Sequence, residues 1–488
     1  MSSLKDRAFS GAIWSSVERF STYGLQFVFS ILMARLLAPS DYGTIALLNV
    51  FFAICQTFID SGFNLAIIRK QDRTEVDFST VFIFSMAVAG FSYVLLWFAA
   101  PYIADFYNLP ELKIITRVVS LNLIVSTLSS MHNAKLSICL DFKSKAKVSV
   151  FAVIGSSIIG IYLAYNGFGV WALVAQMIAS NSIKTLLLYY YTRWVPALRF
   201  SYDSFKELFS FGSKMLVSGI IGNIYNNLYS IIIGKFYTPA ALGFYSKAEN
   251  FATLPSMQIS GVILNVTYPA LAKIQDDNER LMEAYRKINK LSAFIIFPLM
   301  VGLAAVSEPL INTLLGEKWI GVVPLLQILC FSYIWDTFNS CNMNLLQLKG
   351  YSEKYLKLEV IKKVLGLIVL VVSLPMGITA MCIGKVILSL IYIPINTFYS
   401  GKMFKYGFFR QIRDITPILL HSLAMGVIVL LSIHLLPQPW SKLLLGFVVG
   451  AFYYIGVAAL FKFPELKELY GLVGNFMGAR LKQRNQIQ

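Results

Sequence analysis

Eight ionisable side chains lie inside long apolar stretches of this chain: Glu18, Arg19, Asp60, Lys184, Lys247, Glu249, Asp336 and Lys385. A charge at the centre of a bilayer costs about 2.5–3.5 kcal/mol even on lenient insertion scales, so such groups face a cavity or a partner. Four are acidic and four basic, so counting alone predicts no strongly cationic cavity. Spacing says more. Ser15, Arg19, Thr22 and Gln26 recur at intervals of four, three and four, which places them on one helical face, with Glu18 at its edge. Asn49, Gln56, Asp60 and Asn64 form a second stripe, and Asn223, Asn226, Asn227, Ser230 and Gly234 a third. Lys247 and Asn250, with Ser246 and Thr253 beside them, form a fourth. Helices this polar cannot face lipid, so the four stripes should line water or one another. Arg19 offers a bidentate fork and Lys247 a point charge. Glu18, Asp60 and Asp336 are the carboxylates that could exchange a proton or bind Na⁺.

Each group also has a plainer reading. Arg19 and Asp60 lie at similar depth and could pair with each other. Arg35 and Lys235 stand at helix ends, where a long cationic side chain snorkels. Lys184 and Lys385 read as held by structural partners, and His132 as a packed polar residue. Asp336 with Asn339 could bind a cation or satisfy neighbouring backbone. Pro255, Pro298 and Pro394 interrupt spans and suggest bends.

The elements that carry these residues are membrane spans. The 488 residues are 57% hydrophobic and 14% charged, with a mean hydropathy of +0.65, which excludes a soluble globular, a disordered or a disulfide-scaffold protein. At roughly 35 residues per span with short connections, the chain holds about fourteen spans. Hydropathy places them near 11–36, 43–67, 78–100, 114–139, 148–165, 169–192, 211–236, 241–269, 291–308, 321–347, 358–375, 377–400, 415–436 and 443–461. Residues 201–210 and 276–291 read as amphipathic helices outside the spans. Trp97, Trp171, Trp194, Trp319 and Trp440 fall at expected span ends. The five cysteines all sit in apolar segments without metal-ligand spacing and read as buried thiols. No small-residue cleavage site follows the first apolar run, so the start does not read as a cleavable signal peptide. There is no Walker sequence, metal-spaced His/Cys set or nucleophile elbow.

The net charge of +17 is distributed as a membrane protein distributes it, not as a nucleic-acid binder does. Alternate connections carry the cations: Arg69/Lys70/Arg73, Lys143/Lys145/Lys147, Arg193/Arg199/Lys206, and so on through Lys462/Lys467 and the C-terminal tail. The intervening set holds only Lys113, Lys318 and Lys442. The positive-inside rule then puts both termini in the cytoplasm.

An internal repeat divides the chain. Ser30 to Arg35 matches Ser230 to Lys235, Pro39 matches Pro239 and Gly43 matches Gly243, all offset by 200. Pro101 matches Pro309, Ser144 matches Ser352, Gly169 matches Gly377 and Ala172 matches Ala380, all offset by 208. Each repeat has six spans. An even number returns the chain to its starting side, so the halves are parallel repeats. The expected architecture is an all-α polytopic membrane protein: a six-helix lobe at 1–200, a second at 201–410, and two additional helices with a tail at 411–488.

Two six-helix lobes plus two helices, with an R/K-x-x-x-P-x-x-x-G element after the first helix of each lobe (Arg35, Pro39, Gly43; Lys235, Pro239, Gly243), resemble the multidrug/oligosaccharidyl-lipid/polysaccharide exporter superfamily. The opening AFSGAIWSSVERFSTYGLQFVFSILMARLLAPSDYGTIAL is similar to its bacterial polysaccharide-transporter branch, which includes the flippases for O-antigen and colanic-acid units. The resemblance implies export of an undecaprenyl-diphosphate-linked oligosaccharide across the bacterial cytoplasmic membrane by alternating access. It implies a central cavity bordered by the first two helices of each lobe. Arg19, Lys247, Gln26, Asn226 and Asn250 are then the substrate-binding candidates, and Glu18, Asp60 and Asp336 the ion-coupling candidates. No cofactor is expected beyond an H⁺ or Na⁺ gradient. The lipid bilayer, a polysaccharide polymerase and a chain-length regulator are the expected partners, with no nucleic acid. Two rivals stay open: a cation-coupled drug exporter of the same superfamily, and a membrane polymerase or ligase, for which outer loops of about a dozen residues leave little room.

The orientation is testable. Single cysteines at Asn108, Lys318 and Gln438 in a cysteine-free background should react with an impermeant thiol reagent in intact cells. Protection of all three, with labelling near Lys145, would reverse it.

Overall fold

The computed structural model describes residues 2–197 and 199–471. Among them there are helices and turns and no β-strand. The α-helices are α1 Ser2–Leu36, α2 Pro39–Asp60, α3 Phe63–Arg69, α4 Glu75–Tyr107, α5 Leu112–Ile138, α6 Phe142–Tyr165, α7 Val170–Thr192, α8 Tyr202–Phe236 and α9 Pro239–Ala272. They continue as α10 Asn278–Ala305, α11 Ser307–Leu314, α12 Val322–Tyr333, α13 Asp336–Leu348, α14 Ser352–Ser373, α15 Ile378–Phe404, α16 Phe408–Ile433 and α17 Pro439–Leu460. Ten helices among the described residues are long and apolar enough to cross a membrane. The fourteen expected spans are compatible with this. The expected tenth span is broken between α12 and α13, so each half is short. α14 carries Lys354, Lys357, Glu359, Lys362 and Lys363 in its first half. Large apolar side chains point outward along the helices, among them Phe98 at 70%, Val371 at 65% and Phe452 at 77% exposure. Only lipid accommodates such a surface.

Several expected boundaries move. The segment 201–210 is the first part of α8, and 276–291 the first part of α10, so neither is a separate interfacial helix. Ser201 and Asp277 cap these helices by accepting the backbone N–H groups of Ser204 and Arg280, and helical residues continue without a break into the apolar run. α4 continues through Pro101 to Tyr107, which leaves Trp97 inside a helix and reduces the loop before α5 to four residues, 108–111. α10 and α15 likewise run through Pro298 and Pro394. The expected second span breaks at Ser61 and Gly62, whose φ values of 38° and 72° end α2 and start α3. Trp194 and Trp319 are buried, whereas Trp171 and Trp440 are exposed near the starts of α7 and α17. Four cysteines are buried, but Cys139 is exposed, because it lies just past the end of α5.

The chain forms two compact units, Met1–Ser246 and Lys247–Gln488, with α9 crossing the boundary. In the first, α4 packs on α5, α6 on α1 and α7, and α8 on α2, α3 and α4. The R/K-x-x-x-P-x-x-x-G element acquires a structural reason here. Pro39 and Pro239 each open a helix, where a missing N–H costs nothing. One turn in, Gly43 lies against the carbonyl of Pro239, and Gly243 against the carbonyl of Pro39. A Cβ at either glycine would overlap that oxygen. Gly212 and Gly234 bring α8 equally close to the Ser61 carbonyl and the Leu47 side chain. Lys235 does more than snorkel: its ammonium donates to the Phe106 carbonyl, on the negative last turn of α4, and lies 4.4 Å from the Phe106 ring.

At the opposite end of this unit, Thr74 and Asp77 form a capping box on α4, with Thr74 N donating to Asp77 Oδ2 at 2.7 Å. Lys70 joins Asp77 at 3.2 Å and Glu207 of α8 at 2.9 Å. The Glu207 carboxylate holds the Lys70 ammonium above the usual lysine range, against the opposing effect of burial. Lys135 pairs with Glu75 at 2.6 Å and lies 4.6 Å from the Trp194 ring, while Trp194 Nε1 donates to Glu75 at 2.7 Å. His132 is fully buried among Thr192, Tyr189 and Trp194.

In the second unit α16 packs on α10 and α17. Arg286 grips Asp414 with two bonds of 2.5 and 2.6 Å, and Tyr406 donates to the same carboxylate. Beneath them Asn342, Ser400 and Gln411 satisfy one another in a buried network.

The glycine contacts give a stability test. Gly43→Ala or Gly243→Ala should lower the thermal midpoint in detergent by an amount equivalent to about 1–3 kcal/mol of overpacking. Gly90→Ala, where a Cβ meets open space, should be neutral or stabilising by up to about 1 kcal/mol. Equal behaviour of the three variants would count against the close approach.

Candidate functional site

The polar residues singled out from the sequence separate into several groups. The backbone of Arg19 is helical in α1, but its side chain, like that of Ser15, lies outside the described residues. Glu18 accepts from Ser149 Oγ at 2.9 Å. Gln26 is exposed, as is Asn226. Asp60 receives the side-chain amides of Gln56 at 3.3 Å and Asn64 at 3.4 Å. Two of these three residues come from α2 and the third from α3, so the stripe stays joined across the break at Ser61–Gly62.

The stripe on α8 does not simply line water. Asn223 donates to Thr57 Oγ1 at 2.5 Å and to the Ala53 carbonyl at 3.4 Å, and Asn227 donates to the carbonyl of Asn223 at 2.9 Å. Amides and glycines on this face thus serve helix packing, as small and polar residues do between membrane helices.

In the second unit Lys247 is 8% exposed, and its ammonium lies 5.8 Å from the ring of the fully buried Trp319. Asn250, one turn along α9, is exposed. Glu249 is engaged: Lys385 of α15 reaches it at 2.6 Å and Tyr333 donates to it at 2.9 Å. Sequence spacing showed neither partner, because α9, α12 and α15 meet only in three dimensions. Asp336, on the first turn of α13, lines a cavity of about 320 Å³ with Asn339, Asn344, Tyr392 and Asn396. Asn396 donates to Asn339 at 2.9 Å, and its own buried Oδ1 accepts no hydrogen bond.

The first unit holds a cavity that sequence reading missed. It also measures about 320 Å³ and lies among α2, α3, α5 and α7. Its polar lining includes Gln56, Asn64, Ser129, Ser130, Asn181 and Lys184. The available signal was the run of serines and amides from Ser126 to Ser137, which a search for charges passed over. Among the described residues no three His, Cys, Asp or Glu side chains group to hold a metal ion.

A helical membrane chain with polar cavities inside its units has the architecture of a transporter. The "Polysaccharide biosynthesis protein" family matches residues 32–324, more than half of the chain, and the protein belongs to that family, within the polysaccharide-transporter branch of the multidrug/oligosaccharidyl-lipid/polysaccharide exporter superfamily. It is 28% identical over 359 residues to the teichuronic acid biosynthesis protein TuaB of Bacillus subtilis strain 168, covering 72% of this chain and 74% of that one. It is 26% identical over 400 residues to the lipopolysaccharide biosynthesis protein WzxC of Escherichia coli K12, covering 82% and 81%. Its fold is similar to that of the lipid II flippase MurJ in an inward closed conformation, with a TM-score of 0.73 at 16% identity, covering 92% of this chain and 98% of that one.

The Glu249–Lys385 pair makes a stability prediction. Removing one charge leaves the other poorly solvated, so Lys385→Met or Glu249→Gln alone should destabilise, and the double variant should recover part of the loss. A double-mutant cycle on detergent unfolding should give a coupling of about 0.5–3 kcal/mol. Strict additivity would show that the pair contributes nothing.

Proposed function

We propose that the protein flips undecaprenyl-diphosphate-linked oligosaccharide repeat units from the cytoplasmic to the periplasmic leaflet, for surface polysaccharide biosynthesis. The observation that carries this is similarity across most of both chains to proteins named for teichuronic acid and lipopolysaccharide biosynthesis, on a membrane fold similar to that of a lipid II flippase. These names favour the reading over drug export and over a polymerase or ligase. The protein works as a carrier and not as an enzyme, in the bacterial cytoplasmic membrane, with both termini cytoplasmic. A polysaccharide polymerase and a chain-length regulator act beside it.

In this reading residues 1–200 and 201–410 are two lobes that rock, and 411–488 adds two helices and a tail. Arg19 and Lys247 contact the diphosphate–sugar end of the carrier, offsetting the loss of phosphate hydration, and Gln26, Asn226 and Asn250 supply hydrogen bonds beside them. The polyprenyl tail stays in lipid. Glu18, Asp60 and Asp336 are the groups through which an H⁺ or Na⁺ gradient drives the cycle. The burial of Lys247 and its position near Trp319 support a fixed charge whose exposure changes with conformation.

The test is surface glycan in cells and flipping in reconstituted vesicles. Arg19→Gln and Lys247→Gln should each abolish export while leaving the protein expressed and monodisperse. Lys247→Arg should keep part of it, and Arg19→Lys less if the fork is used bidentately. If both neutral variants export normally, or if Asp60→Asn rescues Arg19→Gln, these residues are not ligands. Vesicle flipping indifferent to both pH and Na⁺ gradients would remove the coupling.

A further inference from the structure

The cavity among α2, α3, α5 and α7 has a definite hydrogen-bonding character. The hydroxyl protons of Ser126, Ser129 and Ser130 are directed at helix carbonyls: Leu123 at 3.0 Å, Ser126 at 2.8 Å and Thr127 at 2.9 Å. One amide proton each of Gln56 and Asn64 goes to Asp60, and one of Asn181 to Asn122 at 2.9 Å. The wall therefore offers both oxygen lone pairs and the remaining amide protons. Asn64 Oδ1 is buried and accepts no hydrogen bond.

One cation stands among these acceptors. Lys184 lines the cavity and makes no ion pair or hydrogen bond with another described residue. A second, Lys145, reaches Ser137 Oγ of the lining at 3.0 Å. No carboxylate belongs to the lining. Lys145 and Glu18 act on Lys184 through space with opposite signs.

A diphosphate suits this arrangement less well: it brings more negative charge than one lining ammonium balances, and no O–H for the serine oxygens. A neutral sugar would leave the ammonium uncompensated. A hydroxyl-rich monoanion satisfies both, its carboxylate at Lys184 and its hydroxyls on the serine and asparagine oxygens. At about 320 Å³ the cavity is at the small end of ligand sites, the size for one or two sugar rings. We propose that it is a subsite for an acidic sugar of the transported glycan, read by Lys184 together with Ser129, Asn133 and Asn181. The proposal rests on the flippase reading for its substrate, but not for its test.

That test uses the full chain in nanodiscs, with the five native cysteines replaced and Ser130→Cys as reporter. The rate of labelling by a small maleimide is measured with glucuronate, glucose or pyrophosphate at matched ionic strength. Glucuronate should slow labelling at least threefold, glucose less, and pyrophosphate not at all. Lys184→Met, which keeps the stem, should bring glucuronate down to the level of glucose, and Lys184→Arg should restore the difference. Asn181→Ala should weaken protection by both sugars. Protection by pyrophosphate equal to that by glucuronate, no difference between glucuronate and glucose, or protection that survives Lys184→Met would each overturn the proposal. Flipping of carrier-linked glycan is measured separately. Protection without flipping removes the flippase reading and leaves the subsite standing.

Discussion

A polar group inside a bilayer has no water to fall back on, and this constraint orders the molecule more than apolar attraction does. Lipid tails are as apolar as leucine, so helices in a membrane gain little by hiding Leu and Val from it. What they gain is close packing and partners for buried donors and acceptors. Glu249 therefore draws Lys385 and Tyr333 to it, Asn342, Ser400 and Gln411 close on one another, and Asn223 crosses from α8 to Thr57 of α2. Each contact ties helices that sequence order leaves apart.

The reciprocal approach of Gly43 to Pro239 and of Gly243 to Pro39 belongs to the same logic. Two helix starts meet backbone to backbone, with no side chain between them, and the close approach is made twice. It also explains why the two copies of the element share spacing rather than composition. Arg35 and Lys235 differ, whereas the proline that starts the helix and the glycine one turn later do not.

How much of this was legible depended on whether the signal was local. Hydropathy and the cation-bearing connections gave the class of protein, because both are written along the chain. Helix ends were harder. Pro101, Pro298 and Pro394 all lie within continuous helices, since neighbouring helices can satisfy the carbonyls that a proline frees. The amphipathic starts of α8 and α10 looked like separate elements because polarity changes there, although the helices continue. Partners were the least legible. Glu249 stood two positions from Lys247 in sequence, and its actual partner lies 136 residues on. The cavity around Lys184 was invisible for a further reason: its character comes from where the serine protons point, which depends on helix geometry and not on residue type alone.

The two lined cavities differ in character although the sequence halves share a register. Under the 208-residue offset Lys184 corresponds to Tyr392, and each lines the cavity of its own unit. Ser126, Ser130 and Asn133 correspond to Ile334, Phe338 and Cys341, so the wall of hydroxyl and amide oxygens is not repeated. In its place the second cavity has Asp336, the Glu359–Lys362 pair and two tyrosines. The first cavity thus presents a cation among serines and amides, and the second a carboxylate, an ion pair and amides, on different sets of helices. Two identical pockets would bind one ligand twice. Two pockets of different lining can bind different species.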